Sequence, residues 1–452
     1  MNALKSAPRI NVLCAPPNGV NPGMTTVDLA FAELAATEGF DDVTYWRLWD
    51  SSEWRTDAPR AAGPVSSPYS FYDEESGLTY RNARGHLDEF LSADAIVFWG
   101  DFLHMKSYLG ITADVLTRRT GVLTDPAEAR DLVERHLLLK GQNASVLNRV
   151  ISYGTTLAFN SAHDYTDDAY RSLLGTFLAG AHRVWARDSY SALIAQLHRP
   201  GKDEVTKGTD GALLLGRRDL RDREPTLGVF IGRSDLSPWK VGALGRALSH
   251  NLRLDPIWLD WGREPGFWPM NARRSLQFAW PGLELGSYAP SLHARTGSYS
   301  ATLRRKHDVG TGPMPATTEL LDQLSRHTLV LTDTYHVALN AWRLGTPAIC
   351  LTDAPRAAGW DVNTGGIETA RDKRAELYSQ FDAAPLLVDS HQLAGPTPAL
   401  AGRLTAFLRE EQPLAVIHDR VAELGRHGRT QLTGALRALS KVEARGAETA
   451  AR

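Results

Sequence analysis

The stretch HTLVLTDTYHVALNAWRLGTPAICLTD, residues 327–353, contains a complete strand–helix–strand unit. A short apolar run, Leu329 to Leu331, precedes a polar turn over residues 332–336. A helical repeat of apolar residues follows from Val337 to Leu344, and a glycine and a proline end it before a second apolar run, Ala348 to Leu351. A helix between two buried strands predicts a parallel sheet. Such sheets bind ligands outside the carboxyl ends of their strands, so a site is expected at residues 332–336.

The length and composition indicate an ordinary globular protein of two domains. The chain has 452 residues, more than one typical hydrophobic core accommodates. Its residues are 43% hydrophobic and 23% charged, as in ordinary soluble proteins. The net charge of -2 argues against a nucleic-acid-binding protein, which usually carries a strongly basic domain. We expect no nucleic acid among its partners.

The amino-terminal residues and the apolar runs bear on the compartment. Residues 1–17 lack the long apolar region of a signal peptide, and no apolar run is long enough to cross a membrane. Cys14 and Cys350 both fall in predicted buried strands, where reduced core thiols are expected. These features together predict a cytoplasmic protein without a transmembrane segment.

Apolar strand-sized runs alternate with helical patterns in both halves of the chain, which predicts an α/β fold with two doubly wound domains. Residues 50–80 are rich in Ser, Pro, Tyr and Gly and are interpreted as a lid over a site. Residues 83–91 and 234–252 have helical patterns. The expected strands are residues 9–15, 42–49, 93–100, 146–157 and 182–186 in the first half and 227–232, 256–261, 329–331, 348–351 and 384–389 in the second.

These patterns divide the chain into four predicted segments. A charged, Gly-rich stretch after the first set of strands is interpreted as the interdomain linker. Two tandem domains imply a ligand cleft between them that closes by hinge motion. The segments are an N-terminal domain (1–198) on the acceptor side, the linker (199–225), a C-terminal domain (226–395) on the donor side, and closing helices (396–452).

Three motifs in the same order resemble the polysaccharide pyruvyl transferase family, whose two domains are arranged as in GT-B glycosyltransferases. The turn Asn21-Pro22-Gly23, before a helix that contains Asp28, is similar to the family's N-x-G-D loop. ARDSYSALIAQL, residues 186–197, is similar to its strand–R-D–x–x–S element. Residues 331–351 resemble its T/S-x-R-x-H…A…G-x-P signature. The resemblance implies two Rossmann-like domains in a GT-B-like arrangement with C-terminal helices.

The resemblance also implies a chemistry. In the family, a pyruvyl group passes from phosphoenolpyruvate to hydroxyls of a sugar-containing acceptor, and an arginine two residues before the histidine holds the anionic donor. This chain has Thr334 at that position, and residues 99–104 replace the family's Gly-rich turn with a more crowded sequence. We therefore expect a divergent bacterial member, with a glycan or a specialised metabolite as the product.

His336 is the candidate catalytic residue, because an imidazole exchanges protons near neutral pH and this one follows a strand end. Asp333 either orients its ring or caps the helix, and the alternative for His336 is a histidine hydrogen-bonded within a loop. Thr334 is a candidate substrate contact in the same turn. Tyr335 is interpreted as a packing residue.

Two arginines are candidates for holding an anion. Arg187 follows the strand 182–186, where a guanidinium can bind a carboxylate or phosphate through two hydrogen bonds, or can pair with an acid of the chain. Arg233 follows the first predicted strand of the second domain, in the same topological place as the turn of residues 18–26 in the first, and could bind a donor phosphate. Asp188 is expected to cap the next helix.

The remaining candidates lie in loops next to strands. Asn21, Gly23 and Thr25 could hold an anion or a sugar hydroxyl on exposed N–H groups, or form an ordinary turn. Asp101 (as a base) and His104 follow the strand 93–100, and Trp360 suits stacking on a sugar or a base. The sequence has neither a Cys pair nor an H-E-x-x-H motif, so no metal and no cofactor are expected.

Three hypotheses remain open. The first is pyruvyl transfer from phosphoenolpyruvate to a sugar carried on a nucleotide, a lipid or a small metabolite, with His336 moving the proton. The alternative is a GT-B-type glycosyltransferase that uses a nucleotide sugar as donor. The third is a non-catalytic binding or scaffold subunit. The small-molecule donor and the sugar-containing acceptor are the expected partners, and the sequence leaves a homo-oligomer open.

Overall fold

The computed structural model describes fourteen parts of the chain, which include both predicted sheets. They are residues 8–15, 22–49, 70–73, 76–100, 103–119, 123–157, 160, 162–199, 206–216, 223–231, 236–259, 261, 316–352 and 372–450.

The N-terminal domain is built on a seven-stranded sheet of order β3-β4-β2-β1-β5-β6-β7. All neighbours are parallel except β3 and β4, which form an antiparallel edge. The strands are β1 (Ile10–Cys14), β2 (Val43–Arg47), β3 (Ser70–Asp73), β4 (Leu78–Asn82), β5 (Ala95–Trp99), β6 (Val150–Thr155) and β7 (Arg183–Ala186).

Apolar clusters cover both faces of this sheet, because successive side chains of a strand point to opposite faces. In β5, Ala95, Val97 and Trp99 belong to one cluster, and Ile96 and Phe98 belong to the other. This double burial explains the continuous apolar run of residues 95–99 and confirms the predicted doubly wound pattern. The helices of this half are α1 (Pro22–Glu38), α2 (Leu87–Leu91), α3 (Lys106–Asp114), α4 (Pro126–Leu137), α5 (Ala144–Leu147), α6 (Asp168–Gly180) and α7 (Ser189–Leu197).

The C-terminal domain is built on a five-stranded, fully parallel sheet of order β12-β11-β10-β8-β9. Its strands are β8 (Glu224–Phe230), β9 (Asp255–Trp258), β10 (His327–Thr332), β11 (Ala348–Thr352) and β12 (Leu387–Asp389). Its helices are α8 (Pro238–Leu252), α9 (Thr317–Arg326), α10 (Tyr335–Arg343), α11 (Lys373–Gln380), α12 (Ser390–Ala394), α13 (Thr397–Arg409) and α14 (Glu411–Ala450). The α/β class and the two Rossmann-like sheets are therefore as predicted.

The last helix, α14, returns to the N-terminal domain and packs against α1. Arg429 forms an ion pair with Glu33, and Arg437 forms one with Glu38 at 2.8 Å. Two closing helices were expected from the sequence, and both are present. The side chain of Arg429 is about three-quarters covered in this contact.

The two domains share one continuous apolar cluster. It includes Val97 of β5, Phe31 of α1 and Leu331 of β10. Helix α10 lies at the centre of the contact, and every residue from Tyr335 to Arg343 is buried. One hydrogen bond across the contact joins Asn340 Nδ2 to Thr26 Oγ1 at 3.2 Å.

Three segments differ from their predicted structure. Within residues 50–80, interpreted as a lid, β3 and part of β4 complete the sheet edge, while 50–69 lie outside the described residues. Val146 and Leu147, expected in a strand, belong to α5. The predicted linker contains a buried 3-10 turn, Gly211–Leu214, that packs against α1 and α14. Its apolar residues are anchored in the shared core rather than exposed.

Two further expectations concern the cysteines and the membrane. Cys14 and Cys350 are free thiols in the buried strands β1 and β11, as predicted. Within the described ranges, none of the helices combines the length and apolarity that a membrane crossing requires.

Candidate functional site

A small cleft lies where the carboxyl ends of the two sheets meet. The space inside it measures about 330 Å³, including its open mouth. We call this space the cleft throughout; its described lining is Thr156, Arg187, Asp188, Tyr335, Lys373, Glu376, Leu377 and Gln380.

Strand ends place the cleft residues. Thr156 directly follows β6, and Arg187 directly follows β7. Tyr335 begins α10, three residues after the end of β10. Because parallel strands present their carboxyl ends at one edge of a sheet, both sheets contribute to the site that the fold class predicts.

The ring of Tyr335 lies near two cations. The guanidinium carbon of Arg187 and the Nζ atom of Lys373 are each 5.0 Å from the centroid of this ring. Both distances are within the range in which a cation is attracted to an aromatic ring. A flat aromatic surface beside positive charge can bind an anionic ligand that also carries a ring.

A buried carboxylate, Asp210, lies behind these residues. Its Oδ2 atom accepts hydrogen bonds from Arg187 Nη1 and from Tyr335 Oη, each at 3.1 Å. The Nε2 atom of His336 is 3.8 Å from the same oxygen, which is longer than a hydrogen bond. We call Asp210, Arg187, Tyr335 and His336 the Asp210 cluster. Asp210 belongs to residues 206–216 of the predicted linker, which we call the interdomain segment, so the cluster connects this segment to both domains.

The electrostatics of the cluster keep Asp210 ionised. Burial by itself would raise the pKa of the Asp210 carboxyl. The imidazole of His336, the guanidinium of Arg187 and the backbone N–H of Ala212 outweigh burial and hold that pKa well below its usual range. Asp210 is therefore a carboxylate at neutral pH.

Backbone pairing explains how the interdomain segment reaches this position. The N–H of Ala186 donates to Thr206 O, and the N–H of Gly208 donates to Ala186 O, both at 2.7 Å. These bonds align the segment with the end of β7. Asp210 Oδ1 then accepts from the N–H of Ala212 at 2.9 Å, which begins the buried 3-10 turn.

Helix α11 contacts the N-terminal domain directly across the cleft. Glu376 Oε1 accepts hydrogen bonds from Ser189 N at 3.0 Å and from Ser189 Oγ at 2.8 Å. Gln380 Nε2 donates to Arg187 O at 2.8 Å. Burial opposes a charged Glu376, but the hydrogen bonds from Ser189 prevail and lower its pKa overall. These contacts hold the two domains together beside the cleft.

The catalytic role of His336 stays a prediction, and the structure shows where its ring lies. It is at the contact between the domains, but it is only 6% exposed and is absent from the described lining of the cleft. Its ring packs against Gly23, where an added Cβ atom would be 2.2 Å from His336 Nδ1. The imidazole is thus packed between the domains instead of facing the cleft, because the first turn of α10 abuts the start of α1.

The neighbouring turn residues are buried as well. Asp333 is 1% exposed, and its Oδ1 atom accepts a hydrogen bond from Thr334 Oγ1 at 3.1 Å. Thr334 precedes α10 in extended conformation without a side-chain cap bond, and its N–H donates to Thr332 Oγ1 at 3.0 Å. Thr334 therefore brings no positive charge to the position where the resembling family has an arginine.

The start of α1 packs against α10. Gly23 lies in the first turn of α1, where the absence of a side chain lets the His336 ring approach. Thr25 is buried in the same turn. Asn21, the third residue predicted here, is outside the described residues. In the described part, Gly23 and Thr25 are interior residues and not an exposed anion-binding turn.

His104 is also in the interior, in contrast to its predicted position at the cleft. Its Nδ1 atom is 2.8 Å from Leu137 O and its Nε2 atom is 3.0 Å from Ser152 Oγ. Burial lowers the pKa of His104 to about 4, against the opposing effect of the Leu137 carbonyl. A neutral, fully buried imidazole cannot contact a substrate in the cleft.

Three other predicted residues cannot be placed. Asp101, Arg233 and Trp360 lie outside the described residues. Asp188 caps α7 as expected: its Oδ1 atom accepts from Ser191 N at 2.8 Å. In the parts of the chain that the structure describes, no group of three His, Cys, Asp or Glu side chains could hold a metal ion.

The sequence analysis missed several residues of the site. Tyr335 was interpreted as packing, yet it is central to the cleft and to the Asp210 cluster. Asp210 was assigned to the linker, although the apolar run Ala212 to Leu215 after it indicates a buried turn. Lys373, Glu376 and Gln380 share one face of α11, but their pattern is that of any amphipathic helix.

No family model and no curated protein matches this chain. Solved structures of similar architecture include the UDP-GlcNAc 2-epimerase from Neisseria meningitidis bound to UDP-GlcNAc, at 10% identity and a TM-score of 0.49, which covers 95% of this chain and 100% of that chain. Another is a UDP-glucosyltransferase from Polygonum tinctorium, at 15% identity and a TM-score of 0.42, with 97% and 99% covered. Likeness at this level concerns overall architecture alone. Membership of the polysaccharide pyruvyl transferase family stays a prediction.

Proposed function

We propose that this protein is a glycosyltransferase that uses a nucleotide-activated sugar as donor. The observation that supports the proposal is the cleft between the carboxyl ends of two parallel sheets, where Arg187 and Lys373 each lie 5.0 Å from the centroid of the Tyr335 ring. The two cations suit the diphosphate of such a donor, and the aromatic ring suits stacking on its base or sugar.

The reaction would follow from this binding mode. The bond between the anomeric carbon and the diphosphate oxygen breaks, and a bond from that carbon to an acceptor hydroxyl oxygen forms. The hydroxyl proton passes to a base, and the nucleoside diphosphate leaves with the electron pair. Arg187 and Lys373 would stabilise the negative charge that develops on the diphosphate. His336 would act as a packing partner of the cluster, because its ring does not face the cleft.

Pyruvyl transfer from phosphoenolpyruvate is the second candidate, and Arg187 is the observation that favours it. A guanidinium at a strand end suits a small donor with a carboxylate and a phosphate. One observation weighs against it: Thr334 supplies no positive charge at the position where the family arginine would hold the donor. Phosphoenolpyruvate therefore has fewer available partners in the described part of the cleft than the family resemblance implies.

Thermal unfolding in the presence of ligands distinguishes these candidates. The panel consists of UDP, GDP, ADP, CDP, dTDP and phosphoenolpyruvate, with inorganic phosphate as the control for non-specific anion effects. At a ligand concentration of about one hundred times Kd, specific binding should stabilise the protein by about 2.7 kcal/mol. Stabilisation by one nucleoside diphosphate and not by phosphoenolpyruvate supports sugar transfer. Stabilisation by phosphoenolpyruvate and not by a nucleoside diphosphate would support pyruvyl transfer instead. Stabilisation by neither ligand would contradict both candidates and favour a non-catalytic role.

A matched pair of lysine variants locates the binding. Lys373→Ala should abolish most of the stabilisation by the nucleoside diphosphate, because it removes one of the two cations beside Tyr335. Lys240→Ala removes a lysine from α8 whose Nζ atom donates to Ala394 O, away from the cleft, and should keep the full effect. Equal stabilisation of both variants would place the ligand elsewhere.

A further inference from the structure

The carboxylate of Asp210 binds a cleft side chain from each domain. Arg187 belongs to the end of β7, and Tyr335 belongs to the start of α10. Asp210 itself is 3% exposed and is not part of the cleft lining. Asp210 therefore contacts Arg187 and Tyr335 from the protein interior, whereas a ligand would contact them from the cleft.

The position of Asp210 is fixed independently of those two side chains. Its Oδ1 atom accepts from the backbone of Ala212, and the turn that follows is buried in the core that the domains share. The side chain of Gln380 binds the backbone of Arg187, whereas the carboxylate of Asp210 binds its guanidinium. Arginine has many rotamers, and a fixed partner removes most of that freedom before a ligand arrives.

We propose that Asp210 is a positioning residue that sets the orientation of Arg187 and Tyr335 in the cleft and thereby controls ligand affinity. This inference rests on the proposed function, because a nucleoside diphosphate is the ligand in question. A carboxylate that accepts from both side chains fixes the guanidinium relative to the ring. The cleft is then preorganised only when the two domains are in the observed contact.

A purely structural role is the competing explanation, and the energetics do not favour it. A buried ion pair is expensive to desolvate and often contributes little net stability. Hydrophobic residues at positions 210, 187 and 335 would fill the same contact. The buried ion pair is therefore better explained by the geometry that it imposes on the two cleft side chains.

The test uses the full chain and the Asp210→Asn variant, which keeps the shape of the side chain and removes its charge. Asp73→Asn is the matched control: Asp73 is buried and accepts from Arg47 Nη1 at 3.0 Å, within the N-terminal domain. The measurements are the Kd for the nucleoside diphosphate that stabilises the wild-type protein and amide hydrogen exchange of the unliganded proteins.

Asp210→Asn should weaken nucleoside diphosphate binding about tenfold, whereas Asp73→Asn should leave the Kd unchanged even where it lowers stability. A double-mutant cycle with Arg187→Ala adds a readout that general destabilisation does not move. In the Arg187→Ala background, Asp210→Asn should change the Kd much less than it does alone. An unchanged Kd in folded Asp210→Asn, or fully additive effects, would overturn the inference.

Hydrogen exchange separates this inference from the proposed function. If no nucleoside diphosphate binds to the wild-type protein, the proposed function fails, and exchange alone decides the role of Asp210. Faster exchange of residues 187–197 and 373–380 in Asp210→Asn than in Asp73→Asn supports positioning; equal exchange overturns it. If Asp210→Asn does not fold, Tyr335→Phe removes one of the same contacts and keeps the ring. Unchanged exchange of both segments in Tyr335→Phe would then overturn the inference.

Discussion

Adjacent residues in the polar turn have different environments. Tyr335 lines the cleft, while His336, one position further along α10, packs against Gly23 of the other domain. A helix turns by about 100° per residue, so neighbours in the first turn point in different directions. The sequence placed this turn at the end of a strand, but the direction of α10 determines which of its two aromatic side chains lines the cleft.

Gly23→Ala should destabilise the protein by about 1–3 kcal/mol, because an added Cβ would lie 2.2 Å from His336 Nδ1 in a contact with little room to adjust. Urea unfolding measures this cost. The control is Gly110→Ala in α3, where nothing lies within 4 Å of an added Cβ and helix propensity favours alanine.

A substitution of His336 gives an additional check on its contact with Gly23. His336→Ala should relieve the clash, so the Gly23→Ala/His336→Ala double variant should lose less stability than the sum of the single variants. Additive losses would show that these two residues do not press on each other in solution.

His104 should make the stability of the protein depend on pH. Burial lowers its pKa to about 4 in the folded protein, against about 6.5 in the unfolded chain. Between these values the unfolded chain binds a proton that the folded protein does not, so the free energy of unfolding should fall as pH decreases. The loss approaches about 3 kcal/mol across this window.

Urea unfolding at several pH values measures this effect. His104→Asn should reduce the slope between about pH 6.5 and pH 4, whereas His163→Asn, at an exposed histidine, should preserve it. His136, whose pKa burial also lowers, contributes to the slope in both variants. An unaltered slope in His104→Asn would contradict a buried, neutral imidazole.

At the level of elements, α10 and α14 connect the two domains. A helix of a doubly wound domain usually keeps one solvated face. Here α10 has none, because one side lies on its own sheet and the other side lies on α1, α14 and the buried turn of residues 211–214. The sequence does not reveal this burial, because His336, Asn340 and Arg343 are polar residues of the kind expected on a solvated face.

At Gly428, α14 packs closely on Tyr153 of the first sheet. An added Cβ would be 2.3 Å from Tyr153 Oη and 2.8 Å from Leu214 Cδ1. Tyr153 is fully buried between Trp99 and Trp185 and cannot move away. Gly428→Ala should therefore destabilise the protein by about 1–3 kcal/mol in chemical denaturation.

Gly434, in the same helix, provides the matched control. Nothing lies within 4 Å of an added Cβ there, so Gly434→Ala should be neutral or should stabilise the helix by up to about 1 kcal/mol. Similar effects of the two substitutions would mean that α14 does not pack on the first sheet as described.

At the scale of the whole molecule, the shared core predicts a single unfolding transition. One apolar cluster includes strands of both sheets, the buried turn and α14, so neither domain can lose its packing without exposing part of the other. Calorimetry should give one transition with equal calorimetric and van't Hoff enthalpies, although many two-domain proteins unfold in two steps.

Destabilising each domain separately tests this cooperativity. Val97→Ala in β5 and Ile349→Ala in β11 each remove buried apolar volume from a different sheet. Both substitutions should lower the Tm of the same transition. Replacing a buried isoleucine by alanine typically lowers the free energy of unfolding by about 2–5 kcal/mol. A transition that splits into two in either variant would contradict a shared core.

The sequence by itself determined the two sheets and their principal strands, and it predicted that a site lies at the ends of those strands. Periodicity and turn residues are local, so strand–helix–strand units such as residues 327–353 are readable without coordinates. The tertiary structure alone decided which side chains meet at the site. The placement of Asp210 beside Arg187 and Tyr335, and the burial of His336 and His104, depend on how the domains and the interdomain segment pack. Those contacts join residues far apart in the chain, and no local pattern records them.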